Sequence, residues 1–195
     1  MKSLYNYIIS TEDRYNNKVD VDGNELILNS EVTERDYHFV NRVGTIVNVP
    51  INIKTIAKSG DKAIVHHNVF RRWYDVRGNE RNSANYIDEN LYMVDADSVF
   101  AIHNGTEWRC LSEYCFVEPV ENDDIWSLET EKKLIGKLTY TNEYLDSLGL
   151  SCGDLVGFTP DSEYEFNIDD KKLYRILSKE ITINYGHKEK TQTYS

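Results

Sequence analysis

Proline, methionine and cysteine are all scarce in this chain, at three, two and three residues. Three cysteines cannot pair completely. Cys110 and Cys115 lie close together in sequence and Cys152 lies apart, whereas a secreted disulfide framework has an even count at higher density. The chain therefore reads as a reduced, cytoplasmic protein. Long apolar runs are missing too. No uncharged stretch reaches the ~20 residues that cross a bilayer, and the opening MKSLYNYIISTEDR is too short and too interrupted by Tyr and Asn for a signal peptide. Basic residues are in deficit, with Lys+Arg at 22 against Asp+Glu at 33 and a net charge of −11, so phosphate backbones are repelled. Sustained 3.6-residue periodicity is absent, which argues against a helical fold. No G-x-x-x-x-G-K-[ST] or G-x-G-x-x-G occurs.

Tyrosine, at 14 residues, is abundant, and hydrophobic residues make up 40% of the chain. That is enough for a core, and aromatic and β-branched residues suit pleated surfaces. Short apolar runs recur at Tyr5–Ile9, Glu25–Leu28, Gly44–Val49, Ala63–Val65, Asn90–Val94, Val99–Ile102, Tyr114–Val120, Leu134–Tyr140, Leu155–Phe158, Lys172–Leu177 and Glu180–Asn184. Turn residues such as Asp22-Gly23-Asn24, Ser59-Gly60-Asp61 and Cys152-Gly153-Asp154 separate them. Asn142 to Leu150 is expected to be a short helix ended by Gly149.

The chain also resembles itself. Gly44-Thr-Ile-Val-Asn-Val leads to Gly60-Asp61, then Tyr86-Ile87-Asp88, Leu91-Tyr92-Met93-Val94 and Ser98-Val-Phe-Ala-Ile102. In the second half Gly136-Lys-Leu-Thr-Tyr leads to Gly153-Asp154, Asn167-Ile168-Asp169, Leu173-Tyr174-Arg175-Ile176 and Glu180-Ile-Thr-Ile183. Similarity in fixed order points to a duplicated unit. Gly-Asp supplies a permissive backbone and a side chain that bonds the turn's own amides. Ile-Asp reads as a hairpin tip before the Leu-Tyr strand. The first copy is the longer one, with Arg71 to Asn85 expected to form an extra hairpin or loop.

This order resembles that of the GroES-type co-chaperonins, small β-barrel proteins that cap chaperonin cages, and the resemblance covers most of the chain. It implies an all-β fold of two tandem GroES-like β-barrels. The first would span 1–104 with a candidate mobile loop at 16–42, the second 105–185, and a C-terminal tail 186–195. In the family a flexible loop carries a hydrophobic tripeptide that docks on the chaperonin, and Leu26, Ile27 and Leu28 occupy its place; read from the residues alone they equally fit an ordinary strand with Leu26 and Leu28 on one face. Three adjacent aliphatics among Asp, Asn, Glu and Ser bury little surface locally. In a partner's groove each would contribute roughly 1.5–3 kcal/mol, offset by about 1–2 kcal/mol for ordering each loop residue. Such docking is weak per subunit and strong when several loops engage one ring.

The resemblance thus implies a ring-forming homo-oligomeric lid that docks a GroEL-type chaperonin and encloses an unfolded client. It implies no enzyme activity, cofactor or metal of the chain's own. The second half, around Ile125 and Trp126, lacks a clear aliphatic tripeptide and reads as a structural copy. Pro50 to Ser59 departs from the family, whose corresponding hairpin forms a dome roof. The acidic, Tyr-rich composition suits a specialised viral version. The competing reading is a structural or assembly protein of virion type that reuses the barrel without binding a chaperonin.

Other chemistry has little footing. Lys54 to Arg81 is locally basic and carries Trp73 and Tyr74, a composition that can bind single strands, but nucleic acid is not the expected partner. His66 and His67, read as strand neighbours, would point to opposite faces and not share a metal. Cys110-x4-Cys115 has no matching second ligand pair. Asp161, Glu163 and Glu165 alternate around Tyr164 and Phe166 as a polar strand face.

Overall fold

The structure, a computed structural model, describes residues 2–15, 18–21, 24–27, 39–122, 130–169 and 171–187. The chain divides into two units, Met1–Glu107 and Trp108–Ser195. The fold is all-β. Among the described residues the sole α-helix is short, and no helix is long and apolar enough to cross a membrane.

The first unit contains β1 (Tyr7–Ser10), β2 (Lys18–Val21), β3 (Asn24–Ile27), β4 (Val43–Asn48), β5 (Lys62–Val65), β6 (Arg72–Tyr74), β7 (Glu80–Asn82), β8 (Tyr86–Asp88), β9 (Leu91–Val94) and β10 (Val99–His103). Its main sheet runs β10-β5-β4-β1-β9-β8, antiparallel throughout. β2 pairs only with β3 and β6 only with β7, as separate hairpins. The second unit contains β11 (Trp108–Cys110), β12 (Tyr114–Glu121), β13 (Glu131–Tyr140), α1 (Glu143–Ser147), β14 (Asp154–Phe158), β15 (Tyr164–Ile168), β16 (Lys171–Leu177) and β17 (Ile181–His187). Its sheet runs β17-β14-β13-β12-β16-β15.

Matched in chain order, the two sheets have the same connectivity, and two of their register slips coincide, while those at Tyr86/Asp88, Pro119/Glu121 and Leu155/Val156 have no counterpart. β1 and β4 slip register between Ile8 and Ile9, opposite Asn48 and Ile46. β12 and β13 slip between Phe116 and Val117, opposite Tyr140 and Leu138. A second slip, between Val99 and Ala101 against β5, is matched between Ile181 and Ile183 against β14. A bulge inserts one residue and bends its strand, so shared bulges give the two sheets the same local curvature. A single 3-10 turn precedes the last strand in each, at Ala96–Ser98 and Ser178–Glu180.

Local chemistry explains the repeated motifs. Gly60 and Gly153 take φ of +95° and +100°, the left-handed region that glycine enters without penalty. Their amides donate to Ile46 O at 2.8 Å and Leu138 O at 2.7 Å. The following aspartates accept from the amide three residues back, Lys58 N at 2.8 Å and Ser151 N at 2.9 Å. Each Gly-Asp pair thus locks the turn that brings the third strand beside the second.

Both cores lie against the first strand of the sheet. Ile9, Ile46, Ile64, Phe70 and Tyr92 are buried in the first unit, with the Phe70 and Tyr92 rings edge to face at 4.8 Å. Cys115, Val117, Leu138, Val156 and Ile176 form the second core, joined by Leu145 of α1. That helix starts at Asn142, whose side chain accepts from Leu145 N at 2.9 Å, and the turn closes at Gly149, with φ +81°.

One expectation is corrected. Neither sheet is a closed barrel: β8 forms no ladder with β10, and β15 forms none with β17. With β8 only three residues long, the first sheet has too little strand at that edge to complete a ring of ladders.

In each sheet a glycine of the second strand packs directly on the first strand. A Cβ on Gly44 would meet Ile9 Cγ2 at 2.5 Å and Ser10 O at 2.8 Å, and one on Gly136 would meet Val117 Cγ2 at 2.8 Å. Gly44→Ala and Gly136→Ala are each expected to destabilise the protein by about 1–3 kcal/mol. The exposed neighbours Thr45→Ala and Lys137→Ala should stay within about 0.5 kcal/mol of the parent. Urea midpoints check the contrast.

Candidate partner-docking surface

The segment between β1 and β4 leaves the sheet and returns through a closed neck. Tyr15 bridges Val40, both buried. Asn41 donates its amide to Arg14 O at 2.9 Å and its side-chain Nδ2 to Thr11 Oγ1 and Asp13 O. Beyond the neck, β2 and β3 pair with Val19 opposite Leu26. Leu26 is 53% exposed. The side chain of Ile27 and the whole of Leu28 lie outside the described residues, as do Ile125, Trp126 and His38.

A second excursion, β6–β7, has a turn signature. Asp75 N donates to Asn79 O at 3.0 Å, Gly78 N donates to Asp75 O at 2.8 Å, and Gly78 has φ +76°. The Asp75 carboxylate accepts the amides of Arg77 at 2.9 Å and Asn79 at 3.0 Å and pairs with Arg81 at 3.0 Å. The amide hydrogen bond from Asn79 leads these effects in holding its pKa below the usual carboxylate range. Val76 at the tip is 105% exposed, and Trp73 is 52% exposed.

The two excursions are tied at their roots. The Tyr15 hydroxyl accepts from Arg72 N at 3.0 Å and lies 3.3 Å from Arg72 O. The Arg72 guanidinium sits over the Tyr15 ring at 5.1 Å. Arg14 donates through Nε to Phe70 O at 3.0 Å and through Nη1 to Asn82 Oδ1 at 2.8 Å. Glu80 lies between the two guanidiniums, 3.5 Å from Arg72 and 3.9 Å from Arg14. This neutralisation weakens the case for a nucleic-acid stripe, because Arg72 and Arg81 both have carboxylate partners. The sequence marked Lys54 to Arg81, with Trp73 and Tyr74, as basic and aromatic, but nothing in it singled out Arg14, Tyr15 or Val76. Nothing in a linear reading joins Tyr15 to Arg72.

At the corresponding place, between β14 and β15, the second unit has no hairpin like β6–β7. β14 passes to β15 through a turn in which Ser162 Oγ donates to Thr159 O at 2.7 Å. Beside it a cleft of about 560 Å³ opens between Thr130–Ile135, Asp161, Glu163 and Lys172. Lys172 donates to Glu131 at 2.7 Å and lies 3.5 Å from Glu165, and Tyr174 donates its hydroxyl to Glu131 at 2.6 Å. Burial alone would raise the Glu131 pKa, but these two hydrogen bonds and the Lys172 charge outweigh it and hold the group low. The cluster is an ion-pair network that staples three strands. Asp161, Glu163 and Glu165 are exposed.

The histidine pair does not lie on a strand. β5 ends at Val65, and the bend after it brings the two rings to 4.2 Å, tilted by 32°. His66 Nδ1 accepts from Asn68 N at 3.2 Å. Cys110 and Cys115 are buried and burial raises both thiols, Cys115 to about 12. Among the described residues no three His, Cys, Asp or Glu side chains are grouped to hold a metal ion. No protein-family model matches the chain, and no curated protein matches it.

His67 carries a pH consequence. Burial first, then the charges of His66, Arg42 and Arg71, push its pKa from 6.5 down to about 3. The unfolded chain takes up this proton near 6.5 while the folded chain stays neutral. Stability is therefore full above about pH 6.5 and declines as pH falls toward about 3. In His67→Gln the urea midpoint is expected to fall less steeply across that window, and an unchanged slope would contradict the assignment.

Proposed function

We propose that this chain is a co-chaperonin: a ring-forming, homo-oligomeric lid of two GroES-like units that docks a chaperonin and encloses an unfolded client. The observation that carries the reading is Leu26, a large aliphatic 53% exposed on an excursion between the first two sheet strands, where the resemblance places the docking tripeptide. The shared strand order of the two units supports duplication of one ancestral module, and the buried neck at Tyr15 and Val40 supports an excursion displayed from a fixed base. In this reading Leu26, Ile27 and Leu28 insert into an apolar groove of the ring, the chaperonin turns over the nucleotide, and the second unit is scaffold. The pairing of β2 with β3 favours a second reading, a structural or assembly protein, since the resemblance implies a flexible docking loop there and an ordered strand departs from it.

Co-sedimentation with a purified chaperonin, with and without ATP, separates the two. The parent is expected to bind with nucleotide and the Leu26→Ser/Ile27→Ser/Leu28→Ser variant to lose binding by a hundredfold or more, given several loops per ring. A parent that binds no chaperonin with nucleotide present would make the assembly reading the better one.

A further inference from the structure

We propose that the β6–β7 hairpin is a second docking finger, which engages the same chaperonin ring beside Leu26 at a surface that is apolar and bordered by carboxylates. The inference rests on the co-chaperonin reading and adds a contact that the resemblance does not supply.

Three observations carry it. The first is the tip itself. Val76, 105% exposed at the tip, and Trp73, 52% exposed on β6, place apolar area in water on a hairpin whose Asp75–Asn79 turn is held by Asp75. A rigid aromatic anchor on a preorganised loop loses little conformational entropy on binding. The second is the shared root. Tyr15 bonds the Arg72 backbone, and Arg14 bonds Phe70 and Asn82, so the two hairpins start from one fixed base and whatever seats Leu26 has the second tip at high effective concentration. The third is the comparison between the two units. The sheets share strand order and bulges, yet the second unit joins the corresponding strands through Thr159–Glu163 without a hairpin. The extra element is therefore not needed to build the sheet.

Charge selects the partner's chemistry. The chain carries −11 overall, but the Asp75 charge is committed to loop amides and Arg81, which leaves Arg77 exposed at the tip beside Val76. Apolar side chains flanked by a cation fit an apolar groove rimmed with carboxylates. A second copy of this acidic chain would also offer carboxylates, so the test distinguishes the two.

Two variants of the full chain address this: Trp73→Ala/Val76→Ser, and Val76→benzoylphenylalanine as a photo-crosslinker. Leu148→benzoylphenylalanine, on the exposed end of α1, is the control. The double variant is expected to keep the parent's thermal transition and to bind the chaperonin with nucleotide at least tenfold more weakly. The crosslinker at position 76 is expected to trap a chaperonin subunit only with nucleotide, and the one at 148 to trap none. If Leu26→Ser weakens binding while the double variant binds like the parent and position 76 traps nothing, the second finger is wrong and the docking reading stands. Trapping of another copy of this chain would overturn the proposal in favour of self-association. If the parent binds no chaperonin, the docking reading itself fails and this contact falls with it.

Discussion

At Gly44 and Gly136 the second strand of each sheet comes so close to the first that a side chain has no room, and much else in the structure follows from that approach. With Gly44 against Ile9 and Ser10, and Gly136 against Val117, strands one and two have a fixed register. Continuing that register places Ile46 opposite Ile9 and Leu138 opposite Val117, one pair before the bulge in each sheet. Those buried residues in turn accept the amides of Gly60 and Gly153 through their carbonyls, which starts the third strand. A one-residue slip would turn every apolar side chain to the wrong face. The same geometry appears twice because each half repeats the residues that enforce it.

On that shared frame the units differ mainly in what leaves the sheet. The first sends out two hairpins whose roots meet around Arg14, Tyr15 and Arg72. The second has the short helix α1 and the Glu131–Lys172–Tyr174 network. Exposed aliphatic and aromatic surface on the first unit's hairpins is not part of its core, and the hydrogen bonds beneath it hold it in place. Rigid presentation of apolar tips suits recognition, because ordering is largely complete before contact.

Much of the sheet was legible in the sequence because period-2 apolar runs and Gly-Asp turns recur in order. The parts that escaped have physical reasons. The extra hairpin or loop expected at Arg71 to Asn85 is β6–β7, but its strand bounds were not legible, because Arg-Trp-Tyr and Glu-Arg-Asn have no apolar period to show. Ile87-Asp88 looked like a hairpin tip, yet both residues belong to β8 and the turn falls at Glu89-Asn90, where Asn90 takes φ +60°. Closure was not legible, because whether edge strands meet depends on twist and strand length summed over the whole sheet. Of the candidate site, the exposure of Leu26 agrees with its polar sequence neighbourhood. The root did not declare itself, since Tyr15 and Arg72 are 57 residues apart in the chain.

In the proposed reading, partner recognition belongs to the two hairpins of the first unit, and the second unit is scaffold. Amide hydrogen exchange read by mass spectrometry, on the full chain alone and with a chaperonin plus nucleotide, tests it most directly. New protection is predicted in peptides covering 18–27 and 72–82, with the strands of the second unit unchanged. Protection confined to the second unit, or none in either hairpin of a chain that is demonstrably bound, would contradict it.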